Sequence, residues 1–148
     1  MVIGRGDRTR LLSVEEICAI VAQALDTKTF DGKRVLAIIP DQTRTCPVGF
    51  FFRLLAQELR PRTRRLDFII ALGTHPQMPA DRVDALLEMS GVERARRYPD
   101  VEVLNHAWDD PTQLAHIGTI SADDVERISE GLLREEVPIC INRRVLDY

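Results

Sequence analysis

Two uninterrupted apolar runs, each followed at once by polar and reactive side chains, constrain this sequence more than any other feature. The first run covers residues 35–39 and leads through Pro40 into residues 41–47, which read DQTRTCP. The second covers residues 68–72 and leads into Gly73-Thr74-His75. Runs without polar interruption are typical of parallel strands that are covered on both faces. Each run is therefore predicted to be a buried strand that ends in a cluster of chemically capable groups.

Segments with helical periodicity separate these strands. Ser13 and Glu16 form a capping box that predicts a helix start, and Pro47 and Pro79 suit the first turns of two further helices. Later strands are predicted at 101–104, 113–120 and 137–142, with one more helix from Ser121. Residues 1–148 are thus predicted to form a single α/β domain, a mostly parallel Rossmann-like sheet with helices on both faces.

This architecture predicts where the reactive side chains meet. In a parallel sheet the carboxyl ends of all strands share one edge, and ligands bind in the crevice outside it. Asp41, His75 and His106 each follow such a strand end, so we expect them along one crevice.

The stretch around Asp41 suggests an anion site. A helix that begins near Pro47 would offer free backbone N–H groups to a phosphate or carboxylate, and Arg44 could bind the same anion in bidentate fashion. The structural alternative is that Asp41 and Thr43 make an Asx-turn and Arg44 is solvated. Because the stretch lies between a buried strand and a Pro-started helix, the functional interpretation is favoured.

His75 is a candidate proton carrier. A histidine at a crevice edge exchanges a proton near neutral pH, and Gly73 permits close approach of the backbone to a ligand. The alternative, a turn residue that caps the next helix, is equally compatible with its position. His106 precedes a turn-forming stretch and is expected to make a structural hydrogen bond, and His116 is expected at the surface or in packing.

Composition excludes several classes of function. The net charge of −3 gives no electrostatic footprint for nucleic acid or an anionic membrane, and no apolar run is long enough for a transmembrane helix. The three cysteines, Cys18, Cys46 and Cys140, form no CxxC motif, so neither a disulfide framework nor a metal site is predicted. Reduced thiols in the cytoplasm fit best. A hydrolase that uses Cys46 as its nucleophile remains an alternative.

The motifs resemble the N-terminal domain of the nickel-pincer lactate racemase family. The resemblance rests on residues 41–47, on Ala71-Leu72-Gly73-Thr74-His75, on Asn105-His106 and on residues 141–146, in matching order and spacing from about residue 15 onwards. It implies a racemase or epimerase of 2-hydroxy acids, in which a nickel-pincer nucleotide takes a hydride from C2 while a histidine takes the hydroxyl proton. His75 would be one of two such histidines, Arg44 would hold the substrate carboxylate, and Asp41, Thr43, Gly73 and Thr74 would line the substrate or cofactor site.

The sequence departs from the family pattern in one respect. The family's second catalytic histidine, its pincer-bearing lysine and its nickel-binding histidine follow the strand near which this sequence ends. The only lysines are Lys28 and Lys33, and both precede the first crevice strand. We therefore expect the N-terminal part of a larger two-domain protein, with no metal ligand and no covalently held cofactor of its own, inactive until the C-terminal part completes the site. The alternative is a non-catalytic α/β module that binds a small phosphate or carboxylate.

Overall fold

A three-stranded parallel sheet and a separate two-stranded antiparallel pair form the framework of the molecule. The computed structural model describes residues 2–148. The predicted strands are all found, with bounds that agree within three residues. In chain order the elements are α1 (Val14–Asp26), β1 (Arg34–Pro40), α2 (Val48–Leu59), β2 (Arg65–Ala71), α3 (Ala80–Leu87), α4 (Gly91–Arg97), β3 (Val103–Asn105), β4 (Leu114–Ile120), α5 (Ala122–Ile128) and β5 (Val137–Asn142), with 3-10 turns at Pro111–Gln113 and Arg143–Asp147.

Side-chain caps fix where the helices begin. Ser13 and Glu16 make the predicted capping box: the Glu16 amide donates to Ser13 Oγ at 3.2 Å, and the Ser13 amide donates to Glu16 Oε2 at 2.9 Å. A simple serine N-cap, without the reciprocal bond, begins α4 and α5, where Ser90 and Ser121 each accept from the amide three residues later. Each cap satisfies a backbone donor that has no partner inside the helix.

The parallel sheet confirms the central expectation for the fold. β1, β2 and β3 pair in that order and all run parallel. In the β1–β2 register Pro40 is level with Ala71, so the two strands end side by side. Asp41 and the loop that contains His75 therefore leave the sheet from adjacent positions.

The main core lies on one face of this sheet. Phe52 of α2 and Phe68 of β2 are both fully buried, and their ring centroids lie 4.7 Å apart. Val83 and Leu87 of α3 join the same cluster, and Leu25 of α1 packs against it. Right-handed crossovers that advance in one direction, from β1 to β2 to β3, place their helices on the same face.

The second face differs from the prediction of helices on both sides. Ile38 on this face is 66% exposed. Near the starts of β1 and β2, Tyr148 rather than a helix lies over this face. The Tyr148 hydroxyl donates to the fully buried Asp67. The Tyr148 ring lies beside the guanidinium groups of Arg34 and Arg65. Desolvation, followed by the bond to Asp67, raises the pKa of Tyr148 to about 12.

β4 and β5 do not extend the parallel sheet. They pair with each other in antiparallel fashion, with an irregularity between His116 and Gly118. β3 is only three residues long and is followed by a turn that begins at Trp108, so the chain leaves the sheet edge before β4. The expectation of one mostly parallel Rossmann-like sheet is therefore confirmed for three strands only. Within residues 2–148 no helix has the length and apolarity needed to cross a membrane.

Gly49 sets the distance between α2 and the end of α3. A Cβ at this position would lie 2.6 Å from the Leu87 carbonyl oxygen and 2.9 Å from its carbonyl carbon. These are backbone atoms, so they move only if the two helices separate. The absence of a side chain at Gly49 thus permits the packing that holds α2 in place behind the Asp41 loop.

We predict that Gly49→Ala destabilises the protein by about 1–3 kcal/mol, because the overpacking outweighs the higher helix propensity of alanine. The free energy of unfolding in urea measures the effect. Gly118→Ala is the matched control, since a Cβ there meets nothing within 4 Å. Equal stability of Gly49→Ala and wild type would contradict the assigned packing role.

Candidate functional site

Asp41 and His75 form a hydrogen-bonded pair at the carboxyl edge of the parallel sheet. Asp41 Oδ2 lies 2.6 Å from His75 Nδ1. The Asp41 side chain is 7% exposed, whereas that of His75 is 53% exposed. A buried carboxylate therefore holds a histidine whose ring faces solvent.

Thr43 completes the surroundings of the carboxylate. Asp41 Oδ1 accepts from the Thr43 amide at 3.0 Å and from Thr43 Oγ1 at 2.5 Å. The Asx-turn foreseen as the structural alternative is thus present, together with the bond to His75. The Thr43 hydroxyl, followed by the His75 bond, lowers the pKa of Asp41 to about 2 despite its burial.

The charge of Asp41 fixes the proton on His75. An ionised carboxylate only accepts hydrogen bonds, so Nδ1 of His75 must donate and carry the proton. In the neutral ring Nε2 then has a free lone pair. Among the described residues Nε2 has no hydrogen-bond partner, and the ring is exposed, so this lone pair is available to a ligand.

The loop after β2 orients His75 through its backbone. Gly73 has φ of +59°, a left-handed conformation that favours glycine. The turn closes with a hydrogen bond from the His75 amide to the Leu72 carbonyl at 3.0 Å. Thr74, between them, is exposed.

A cleft of about 450 Å³ lies at this edge, and we call it the Asp41–His75 cleft. A second cavity of about 350 Å³ lies on the other side of the pair, towards Gln77 and Arg82. The structure brings all six predicted site residues together in the first cleft, whose polar wall consists of Asp41, Thr43, Arg44, Gly73, Thr74 and His75.

Arg44 supplies the positive charge of this cleft. Its side chain is exposed and forms no ion pair with any described residue, while its amide donates to the Asp41 carbonyl at 3.3 Å. The N-terminus of α2 is not part of the lining. Val48 and Gly49 are buried there instead. The predicted contribution of backbone N–H groups is therefore not seen, and Arg44 is the cationic side chain that lines the cleft.

Asn105, named above only for the family resemblance, supports the loop that carries His75. Its side chain accepts from the Met78 amide at 3.2 Å and donates to the Met78 carbonyl at 2.9 Å. This two-point contact ties the end of β3 to the loop that carries His75. The position of Asn105 at the end of a predicted strand was the available signal, because an amide at a sheet edge is suited to holding a neighbouring backbone.

The other candidate residues lie outside the Asp41–His75 cleft. His106 Nδ1 contacts Asn142 Nδ2 at 3.1 Å, which is the kind of structural contact expected for it. His116 contacts Thr119 Oγ1 at the surface. Cys46 is an exposed free thiol with no histidine bonded to it in residues 2–148. Over the same range no group of three or more metal-binding side chains occurs.

The chain thus combines an α/β sheet with a carboxylate-held histidine and an exposed arginine at one edge of the parallel strands. Comparison with known proteins defines the family. The model of the lactate racemase N-terminal domain matches residues 6–147, and the chain belongs to this family.

A solved structure and the curated sequences add two further findings. The chain is similar to a protein of Thermotoga maritima, with 30% sequence identity and a TM-score of 0.75 over 90% of this chain. The match spans 31% of that protein, so the chain corresponds to about a third of its length. No curated protein sequence matches.

The lowered pKa of Asp41 predicts how stability depends on pH. The unfolded carboxyl titrates near 3.9 and the folded one near 2, so the unfolded state binds more protons in this range. The stabilisation is complete above about pH 4 and is lost as pH falls towards 2. We predict that wild type loses more free energy of unfolding between pH 5 and pH 2 than Asp41→Asn does. Parallel curves for the two proteins would contradict the assigned environment of Asp41.

Proposed function

We propose that this chain is the substrate-binding N-terminal domain of a nickel-dependent racemase or epimerase of 2-hydroxy acids of the lactate type. The single observation that carries the proposal is the Asp41–His75 pair, which faces an unpaired arginine across one cleft. A 2-hydroxy acid offers a carboxylate and, on the next carbon, a hydroxyl. An arginine and a general base are the groups that such a ligand requires.

Arg44 is the carboxylate-binding group in this proposal. Its guanidinium donates two parallel N–H bonds to the carboxylate, which fixes the plane and position of the substrate. The hydroxyl at C2 then lies towards His75. Thr74 and the backbone at Gly73 form the floor of the same cleft.

His75 is the proton carrier. Its Nε2 accepts the hydroxyl proton, and the imidazolium that forms stays bound through Nδ1 to the Asp41 carboxylate, which stabilises the positive charge. Loss of the proton raises the electron density at C2 and so would favour transfer of the C2 hydrogen, with its electron pair, to a hydride acceptor held by the C-terminal part of the parent protein. The product of that loss is a planar 2-oxo acid, and reversal from the other face gives the opposite configuration.

The chain does not fit covalent attachment of the cofactor. The nickel-pincer nucleotide, as the family resemblance implies, supplies the hydride acceptor when bound through a lysine. Lys28 and Lys33 are exposed and lie before the start of β1, and a strand of this length spans about 20 Å. Both lysines are thus at the sheet edge opposite His75, and we assign the holding of this group to the remaining C-terminal part of the parent protein.

The location in the cell is part of the same proposal. All three cysteines are free thiols, two of them exposed. Exposed thiols persist in a reducing compartment, which supports a cytoplasmic enzyme.

A second candidate function is a non-catalytic module that binds a small carboxylate or phosphate. The observation that favours it is that Arg44 has no acidic partner in residues 2–148, so the anion site stands without the rest of a catalytic apparatus. Titration of the chain with lactate and with inorganic phosphate separates the two. The module is favoured if this chain binds both anions tightly, if Arg44→Ala abolishes that binding, and if the full-length parent racemises no 2-hydroxy acid.

The proposed function predicts the behaviour of two variants of the full-length parent. With enantiopure lactate as substrate, His75→Gln should lower kcat about 10²–10⁴-fold, which is the usual contribution of a general base. Arg44→Ala should raise KM, and Arg44→Lys should restore part of the loss because the charge returns without the bidentate geometry.

Two controls keep the result specific. His116→Gln and Arg64→Ala alter exposed side chains remote from the cleft and should retain wild-type racemisation. Circular dichroism and urea unfolding check that each variant is folded. Full activity of both His75→Gln and Arg44→Ala would show that these residues do not have the proposed roles.

A further inference from the structure

An apolar groove of about 310 Å³ lies beside the Asp41–His75 cleft, on the second face of the parallel sheet. Its walls come from β1, β2 and the C-terminal segment. We call it the His106 groove, after its one titratable ring. Its apolar walls include Ile38, Ile69, Ile141 and Val145.

The His106 groove adjoins the Asp41–His75 cleft. Ile38, Ala71 and Gly73 line both cavities. Gly73 has no side chain to close the passage, and a Cβ built there meets nothing within 4 Å. A ligand bound at Arg44 and His75 can therefore extend into the groove.

Hydrogen bonding determines which nitrogen of His106 carries the proton. Asn142 is buried, and its Oδ1 accepts from the Arg144 amide at 2.9 Å. The group that Asn142 turns to His106 Nδ1 is therefore its NH₂, at 3.1 Å. Nδ1 must accept this bond, so neutral His106 carries its proton on Nε2. This is the opposite tautomer to that of His75.

His106 Nε2 is consequently a donor that is open to a ligand. Nε2 has no hydrogen-bond partner among the described residues. Every buried side-chain nitrogen or oxygen of these residues does have a partner, so Nε2 is not a buried atom. The groove is the described cavity that His106 lines. Neither arginine nor lysine contributes to its walls, so it offers an apolar surface and a neutral N–H donor but no positive charge.

We propose that the His106 groove binds the C2 substituent of the 2-hydroxy acid and that His106 Nε2 donates a hydrogen bond to an uncharged acceptor on it. The inference rests on the proposed function and specifies its substrate class. The preferred substrates are 2-hydroxy acids whose substituent is larger than methyl and carries a carbonyl or ether oxygen. A second carboxylate is disfavoured, because its charge would be desolvated without a cation.

Three substrates of nearly equal shape test the inference in the full-length parent. They are 2-hydroxy-4-oxopentanoate, 2-hydroxy-4-methylpentanoate and malate, whose substituents end in a ketone, an isopropyl group and a carboxylate. We expect kcat/KM for the ketone to exceed that for the isopropyl compound by about fivefold, the effect of one neutral hydrogen bond. Malate should be poorer than either by about tenfold or more.

Variants of His106 separate donation from shape. His106→Phe removes the donor, so the preference for the ketone over the isopropyl compound should disappear, whereas His106→Gln, which retains an N–H, should keep part of it. Cys140→Phe adds bulk in the groove outside the cleft and should lower the ratio of kcat/KM for the isopropyl compound to that for lactate about tenfold. Arg64→Ala, at an exposed position just before the start of β2, is the control and should leave every ratio unchanged.

The possible failures are distinguishable. Two results would contradict substituent binding in the groove and leave the proposed function standing. One is racemisation of lactate with no preference among the three compounds. The other is an unchanged ratio of kcat/KM for the isopropyl compound to that for lactate in Cys140→Phe. Racemisation of no 2-hydroxy acid would overturn both. Nitrogen-15 NMR of histidine-labelled protein tests the donor independently of activity: a proton on Nδ1 of neutral His106 would overturn its assignment, and a proton on Nε2 supports it.

Discussion

The hydrogen bond between Asp41 and His75 is the interaction on which the site depends. It joins the ends of two adjacent parallel strands, and it exists because their register brings Pro40 level with Ala71. Burial of the Asp41 carboxylate is costly unless it is hydrogen-bonded, and Thr43 and His75 together supply those bonds. The same bond directs one nitrogen of His75 inwards and leaves the other free. Fold, charge and reactivity are therefore linked through one contact.

The helices α2 and α3 lie on one face of the parallel sheet, and this arrangement leaves the other face partly exposed. Because α2 and α3 cover the same face, the other face carries Ile38 in an exposed position and the His106 groove beside it. The two histidines that follow β2 and β3 are held in opposite tautomers, one by a carboxylate and one by an amide. In the proposed enzyme they have different tasks: His75 moves a proton, whereas His106 selects the substituent.

Sequence reasoning predicted the strands, the capped helix starts and the meeting of Asp41 with His75 at one edge, because these follow from local periodicity and the geometry of parallel sheets. It did not predict the sidedness of the helices, since this requires the strand order. Nor did it predict the antiparallel pairing of β4 with β5. The contacts of Asn105 with Met78 and of Asn142 with His106 join residues 27 and 36 positions apart, and no local pattern specifies such pairs. The catalytic and binding roles of the cleft residues remain predictions.

The position of the proton on His75 tests directly whether Asp41 prepares this histidine as a base. Nitrogen-15 NMR of histidine-labelled protein near pH 8, assigned with His75→Gln, distinguishes the two neutral tautomers. We predict a protonated Nδ1 bonded to Asp41 and an unprotonated Nε2, and we expect Asp41→Asn to weaken this preference. A proton on Nε2 of His75, or a tautomer that does not respond to Asp41→Asn, would contradict the claim that Asp41 prepares His75 as a base.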